Sequence, residues 1–453
     1  MVATPIITSL LDTDLYKITM QAAIHRHYPK VPCEFLLTNR TPDKKLDRKA
    51  YDWLCEQIKS LEHLRFTDEE IAYLKTKIGY LGDNHFEWLR TVRLNPDKEI
   101  KIIPELSGDE YNLTITAFGD WEIVTLYEIP VLSLLSECYF RFIDTKWKID
   151  GKEVAVLENG DFTESLPKPD FELVNSQAFA KTEKLLGAGC TFSEFGTRRR
   201  RSFEVQRSVM QGIMKAVKSS NFKGKFLGTS NVLFAKEFGV DPIGTIGHEW
   251  MMGVGAIQSI RTSTVDGKPN YDAYLTANRL AMEQYVELVG PMHAGLALTD
   301  TYGTDNFLKQ FTEPYIGYYV GVRQDSGDPK EYASRLSAWY HEHGYAGDTK
   351  KLICFSDSLN TNKCIALKKI CEESECAINS VFGIGTNLTN DFDSEPMNIV
   401  MKLLSCGGGH AIKISDNVGK NMGDPNTVHE VKKRLGYVEH KWAGGDESHR
   451  WKK

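Results

Sequence analysis

The chain has no C-x-x-C pair, no basic leader, no uncharged apolar run long enough to span a bilayer, no low-complexity tract and no internal repeat. Its nine cysteines, Cys33, Cys55, Cys138, Cys190, Cys354, Cys364, Cys371, Cys376 and Cys406, are scattered and odd in number. That argues against a disulfide framework or a zinc site and for a reduced, cytoplasmic setting. The opening residues, MVATPIITSLLDTD, soon meet acids, so no secretory signal is expected. The longest apolar run, Ile123 to Tyr139, is interrupted by Glu128, Pro130 and Glu137. It is too short and too charged for a membrane span, and a buried helix or strand is expected. A net charge of -6 lacks the cation excess that bulk nucleic-acid binding requires. Small anions remain admissible, because a local pocket can be basic in an acidic protein. What is present is 453 residues, 41% hydrophobic and 26% charged, which suits a soluble enzyme of two domains, one of them a barrel.

The stretch around which the rest is organised is KGKFLGTSNVLFAKEFGVDPIGTIGHEW, Lys223 to Trp250. Lys225 to Leu227 and Val240 to Ile243 each run into a Gly-Thr pair, and Val232 to Phe238 between them has helical apolar spacing. Strand, helix and strand in this length make a minimal parallel crossover. Glycine just past a strand lets a ligand approach the backbone, and the polar Ser230 and His248 follow where α/β proteins place their chemistry.

Taken in order, residues 9–28 predict a helix capped by Asp12 or Thr13, with Tyr16 and Lys17 on its solvated side by pattern alone. A strand is expected over 33–40 and a helix over Lys44 to Leu61. T-D-E-E from Thr67 has the form of a capping box, and helix and strands follow over 85–95, 98–104 and 111–118. Residues 146–168 predict a polar connection with weak hairpin character. Beyond about 175, strand candidates near 190–194, 224–228, 240–244, 295–299, 317–323, 351–355, 379–384 and 410–414 alternate with helices. The expected fold is therefore α/β: an N-terminal α+β domain (1–145), an irregular parallel α/β barrel (146–425) and a tail (426–453) packing back on the first domain.

Residues just after barrel strands converge on one mouth. Here they are Phe195, Thr197 and Arg198; Ser230; Thr245 and His248; Asp300; Arg323 and Asp325; Asp357 and Ser358; Gly385 and Thr386; and Lys413. Such a ring suits a phosphorylated anion with a magnesium ion: backbone N–H groups and Thr386 cradle one phosphate, arginines clamp others, and aspartates hold the metal or its water. Plainer alternatives stand beside this. Arg198 to Arg201 has the form of a solvated or nuclear-localisation-like run, DSGDP at 325–329 that of a turn, and GIGT at 383–386 is no complete nucleotide fingerprint. His248-Glu249 fails as H-E-x-x-H because Met252 stands where the second histidine would be.

LLDTDLYKITM, WEIVTLYEIPVLSLLSE, SEFGTRRRR, FLGTSN, IGTIGHEW, LTDTYGT, VRQDSGDP, FSDSLN, FGIGTNL and KISDNVGK, in this order over nearly the whole chain, resemble the nicotinate phosphoribosyltransferases of fungi and many bacteria. The resemblance implies a type II phosphoribosyltransferase fold. It implies ATP-coupled transfer from phosphoribosyl pyrophosphate to nicotinate, with ATP as co-substrate, Mg2+ as cofactor and His248 as a phosphohistidine oriented by Asp300. Tyr16 and Phe195 would sandwich the pyridine ring, and in dimeric relatives the tyrosine comes from the other subunit. Thr245 and Arg323 would contact nicotinate. Gly385 and Thr386 would hold the 5-phosphate, with Arg198 and Arg40 on phosphate. Asp325, Asp357 and Ser358 would serve ribose or magnesium-pyrophosphate. Ser230, in place of an acid, would favour nicotinate over nicotinamide. A nicotinamide-using enzyme and a non-catalytic phosphate or nucleic-acid binder are the rivals. Monomer or homodimer, and a nuclear pool beside a cytoplasmic one, stay open.

Overall fold

The computed structural model describes residues 4–144, 148–149, 152–153, 171–219, 221–263, 266–345, 351–373, 378–417 and 420–438. Cys376, most of the 146–168 connection and the tail beyond 438 lie outside the described residues, and the eight cysteines within them are free thiols.

Two sheets share the chain. The first comprises β1 (Pro32–Asn39), β2 (Ile100–Ser107) and β3 (Glu110–Asp120). β4 (Lys148–Ile149) and β5 (Lys152–Glu153) then pair as a small separate hairpin, in line with the hairpin character of that connection. The second sheet is built from β6 (Thr191–Glu194), β7 (Lys225–Thr229), β8 (Asp241–Pro242), β9 (Leu296–Leu298), β10 (Gly321–Gln324), β11 (Leu352–Phe355) and β12 (Asn379–Ile384). β13 (Ile399–Cys406) and β14 (Gly409–His410) return to the first sheet, whose order is β14-β13-β1-β3-β2, paired antiparallel.

The second sheet is wholly parallel, in the order β8-β7-β6-β12-β11-β10-β9. Chain order thus runs around a circle that is open between β8 and β9, a curled half-barrel of seven strands. The expected eighth strand at 410–414 is not part of it. That segment follows β13, which lies against β1 with Leu37 opposite Met401. The expected boundary at 145/146 is therefore crossed by the chain: residues 399–410 complete the sheet begun at residue 32.

Local chemistry accounts for the elements that frame the site. Asn231 caps the helix Val232–Phe238 by accepting from Phe234 N, and Gly239 ends it in the left-handed region at φ 65°. The capping box at Thr67 forms as its sequence predicts. The first helix starts later than expected, at Leu15, because Asp12 is engaged elsewhere. Its Tyr16 and Lys17 are buried rather than solvated. Apolar periodicity cannot register a lysine whose partners are carboxylates on other helices.

The apolar run at 123–139 becomes a continuous helical stretch, Trp121–Phe142. At 22 residues it is long and apolar enough to cross a bilayer, contrary to the sequence expectation, yet its apolar window is 94% buried within the protein. It packs in the first core, together with the helices His248–Arg261 and Asp272–Val289. The helix Pro425–Leu435 joins the same core through Val431, and its Arg434 pairs with Asp272. The second core lies around the half-barrel, under the helices Phe171–Gly187, Phe203–Ser219, Pro329–Glu342 and Thr361–Glu372.

Candidate active site

Residues 11–15 dock along 230–233. Leu15 N donates to Ser230 O at 2.8 Å, Val232 N to Thr13 O at 3.0 Å and Leu233 N to Leu11 O at 2.8 Å. Asp12 accepts a two-pronged bond from the fully buried Arg200 at 2.8 and 2.7 Å, and a third from Asn231 Nδ2 at 2.7 Å. The LLDTD stretch is thus a clamp that delivers Tyr16 to the end of β7. On the neighbouring strand, the carboxylate of Glu194 accepts from Thr229 Oγ1 at 2.6 Å, from Gln206 Nε2 at 3.2 Å and from Gly196 N. Burial lifts its pKa to about 7 against those donors. This fixes the turn that carries Phe195 and Arg198.

The strand ends surround a cavity of about 270 Å³. Tyr16, Arg40, Phe195, Arg198, Thr245, His248, Arg323, Asp325, Ser358, Gly385, Thr386 and Lys413 all line it. Tyr16 and Arg40 belong to the same chain as the rest, so one protomer encloses the full set. Arg199, Lys402 and Lys420 add three cations that the sequence did not single out, against Glu128, Glu249 and Asp325 as acids. A larger second cavity, about 430 Å³ beside Tyr302 and Trp339, has the opposite balance: Asp305, Asp328, Glu331 and Asp416 against Lys309 and Arg335. The smaller cavity is the one suited to a polyanion.

Arg323 is anchored through three N–H groups, to Ser356 Oγ (2.8 Å), Thr245 Oγ1 (2.9 Å) and Asp325 Oδ1 (2.8 Å). A guanidinium has five donors, so its plane is fixed and two remain for a ligand. His248 opens the helix His248–Arg261. Its Nδ1 lies 2.9 Å from Thr301 Oγ1, and its Nε2 lies 2.8 Å from Lys413 Nζ, 3.1 Å from Asp325 Oδ2 and 3.4 Å from Asp300 Oδ1. Burial and then the Lys413 ammonium push its pKa below the ordinary value, against the two acids. Both effects favour the neutral ring, whose Nε2 stands between an ammonium that can donate to it and a carboxylate that can accept from it. Burial opposes the charge on Asp325, but Arg323, His248 and Lys413 hold its carboxyl well below the usual range.

The chain matches the family model described as nicotinate phosphoribosyltransferase (NAPRTase) over residues 190–439, and that family's N-terminal domain over 11–136. It is 46% identical to a nicotinate phosphoribosyltransferase of Saccharomyces cerevisiae, with 99% of each chain covered. It is 37% identical to one from Methanosarcina mazei, covering 93% of this chain and 96% of that one. The chain belongs to the nicotinate phosphoribosyltransferase family. Among solved structures it resembles one of that description from S. cerevisiae, with TM-score 0.86, 46% identity and coverage of 97% and 100%. Another, from Porphyromonas gingivalis, has TM-score 0.79, 32% identity and coverage of 95% and 100%. The half-barrel with an N-terminal α+β layer is thus the family fold.

Two residues named from the family resemblance, Ser230 and Asp357, are not among the residues lining the cavity. Ser230 does not line the cavity: it is fully buried and donates to Asp14 Oδ1 at 2.7 Å. Asp300 does stand against His248, with Oδ1 3.4 Å from Nε2 and Oδ2 accepting from Ser326 Oγ at 2.6 Å, while Thr301 is the group on Nδ1. Asp357 is also off the cavity surface, paired with Lys420 at 2.7 Å. The arginine run is not a solvated stripe, since Arg200 and Arg201 are buried and Arg201 lies 3.7 Å over the Phe140 ring. Lys402 escaped the sequence because β13 did. It lines the cavity with its pKa lowered to about 8 by burial, then by Arg40 and Lys413.

Proposed function

We propose that this chain transfers the phosphoribosyl group of phosphoribosyl pyrophosphate to nicotinate, releasing nicotinate mononucleotide and pyrophosphate, and that ATP drives the reaction through a phosphorylated His248. The observation that carries the reading is one cavity that holds two aromatic side chains, Tyr16 and Phe195, a pre-anchored Arg323 and a ring of further cations. The pyridine nitrogen attacks ribose C1, the C1–O bond breaks, and its electron pair leaves with pyrophosphate. Positioning and charge neutralisation are what such a step needs from a protein. Arg323 and Thr245 favour a carboxylate over an amide on the ring, because the free N–H groups of the fork match two acceptor oxygens.

The neutral ring of His248 supports the phosphoryl role. Its Nε2 lone pair attacks the terminal phosphorus of ATP, ADP leaves with the bond pair, and Lys413 is at hand to meet the new negative charge. Hydrolysis returns the ring, and the alternation of two charge states couples ATP to transfer.

The donor set does not fit a resident magnesium ion. His248, Asp300 and Asp325 offer ligand atoms within 4.8 Å of one another, but the Lys413 ammonium already stands among them, 3.3 Å from Asp300 Oδ2 and 3.7 Å from Asp325 Oδ2. Magnesium is accordingly assigned to the substrate, as the counter-ion of its diphosphate.

The test is a mass balance with nicotinate, phosphoribosyl pyrophosphate and ATP on wild type and His248→Ala. Wild type should form nicotinate mononucleotide and pyrophosphate with ADP in step. The variant should keep slow transfer and lose ATP stimulation. Absence of mononucleotide with wild type overturns the transfer, and full ATP stimulation in the variant overturns the phosphohistidine.

A further inference from the structure

Lys17 is fully buried on the first helix, one residue after Tyr16. Its ammonium lies 2.5 Å from Glu128 Oε2 and 3.3 Å from Thr125 Oγ1, and it also binds Glu249 Oε2. Glu249 is held on its other oxygen by Trp121 Nε1 at 2.8 Å and Thr125 Oγ1 at 2.7 Å. Glu128 is less fixed: its Oε1 faces Arg198 Nη1 at 3.7 Å, longer than a hydrogen bond. Both glutamates and Arg198 line the cavity. One cation therefore stands between two acids in the wall of an anion site, and it competes with Arg198 for one of them.

We propose that Lys17 is a positioning residue: by taking up Glu128 and Glu249 it keeps Arg198 from closing onto Glu128 and leaves that guanidinium to the anionic substrate. Arg198 is 41% exposed on its side chain, as a group held open toward a ligand should be, whereas Arg200 two residues on is fully enclosed by its partner Asp12. The electrostatics agree in direction. Burial works against the charge on Lys17, but Glu128 and Glu249 outweigh it and raise its pKa, so the ammonium persists at any physiological pH. With Lys17 neutral, the wall would carry two uncompensated carboxylates. Glu128 would draw Arg198 in, and the cavity would lose one cation and gain one repulsive charge.

The inference rests on the phosphoribosyl-transfer reading for its ligand, and inorganic pyrophosphate, titrated calorimetrically, separates the two. If wild type fails to bind pyrophosphate, the inference falls together with the anion site. If wild type binds, Lys17→Met should weaken binding about tenfold, the order of one charge removed at partly buried distances. The double variant Lys17→Met/Glu128→Gln should recover most of that loss. A double variant as weak as the single one would mean that Lys17 serves only packing, and would overturn the proposal. Because Lys17→Met leaves buried acids unpaired and can fail to fold, Glu128→Gln alone gives an independent arm. It keeps the Lys17–Glu249 pair and frees Arg198, so pyrophosphate should bind more tightly, by about threefold or more. Unchanged or weaker binding in Glu128→Gln overturns the competition.

Discussion

Lys413 Nζ lies 2.8 Å from His248 Nε2, and an ammonium at that distance favours a neutral imidazole whose lone pair it can meet. Lys413 also faces Asp300 and Asp325, both of which favour the protonated ring. Removing the lysine while keeping the acids should therefore raise the His248 pKa. In Lys413→Met the acid limb of ATP-coupled turnover should move up by about one pH unit, because a tenfold change in proton affinity takes only about 1.4 kcal/mol. A pH profile of ADP formation on variant and wild type, with melting temperatures as control, measures it. An unmoved limb would mean that Lys413 does not set the state of the ring.

Arg323 holds its plane through Ser356, Thr245 and Asp325. Lysine keeps the charge but loses the fork, so Arg323→Lys should raise KM for nicotinate by tenfold or more, consistent with about 1.5–3 kcal/mol for a charged hydrogen bond. Binding of inorganic pyrophosphate should change much less. Equal losses for both ligands would show that Arg323 belongs to the diphosphate region.

Ser230 is tied to Asp14, away from the cavity surface. Burial raises the Asp14 pKa against the Arg198 charge and the Ser230 hydrogen bond. Ser230→Ala removes that bond and should cost about 2 kcal/mol of stability, measured by denaturant unfolding. KM for nicotinate should stay within about twofold, since a buried side chain that meets no ligand can act only through its neighbours. A large KM change without loss of stability would restore the specificity role suggested by family resemblance.

His85 is buried with neither ring nitrogen hydrogen-bonded, and its ring is stacked at 5.8 Å from that of Trp88. Burial, with His25 nearby, pushes its pKa from 6.5 down to about 3. The folded chain thus refuses a proton that the unfolded chain accepts. Stability from this group is full above pH 6.5 and is lost as pH falls toward 3. His85→Phe should be neutral or stabilising by about 1 kcal/mol at pH 8, from removal of unpartnered polar atoms. Its advantage over wild type should grow by about pH 5. Thermal melts at the two pH values test the slope, and an advantage that shrinks on acidification would contradict it.

Much of this was legible because it is local. The helix Val232–Phe238 between two short strands follows from apolar spacing and the Gly-Thr pairs, and the cap at Thr67 from four residues. The half-barrel strands announce themselves as short apolar runs ending in polar residues, which is why several of the charged and polar groups lining the cavity could be named. β13 could not be placed that way. Its partner is β1, more than 350 residues earlier, and only that pairing assigns it to the first sheet and brings Lys402 to the cavity. The burial of Lys17 was hidden for a related reason: its carboxylate partners are at 128 and 249, and periodicity along one helix records neither. The position of Ser230 at a strand end was correct, but the direction of its side chain depends on Asp14 and cannot be read from its own segment.

Gly247, in the IGTIGHEW stretch, shows how a backbone position can act on the ring site. A Cβ there would lie 3.1 Å from Tyr16 Cε2 and 3.3 Å from Met20 Sδ. The glycine has φ -94°, which alanine adopts freely, so the substitution adds contact without backbone strain. The neighbours must yield by a few tenths of an ångström, and Tyr16, which lines the cavity, is the one whose movement a ligand would register. Gly247→Ala should leave the melting temperature within about 3 °C, as a change of about 1 kcal/mol or less allows in a chain of this size. KM for nicotinate should rise by about three- to tenfold, because a small displacement of a positioning group is costly when the reacting atoms must be held in near-attack geometry. Pyrophosphate affinity, which depends on cations elsewhere in the wall, should be unchanged. An unchanged KM for nicotinate in a well-folded variant would remove Tyr16 from the ring contacts. A parallel loss for pyrophosphate would indicate that the helix start at His248, rather than Tyr16, had moved.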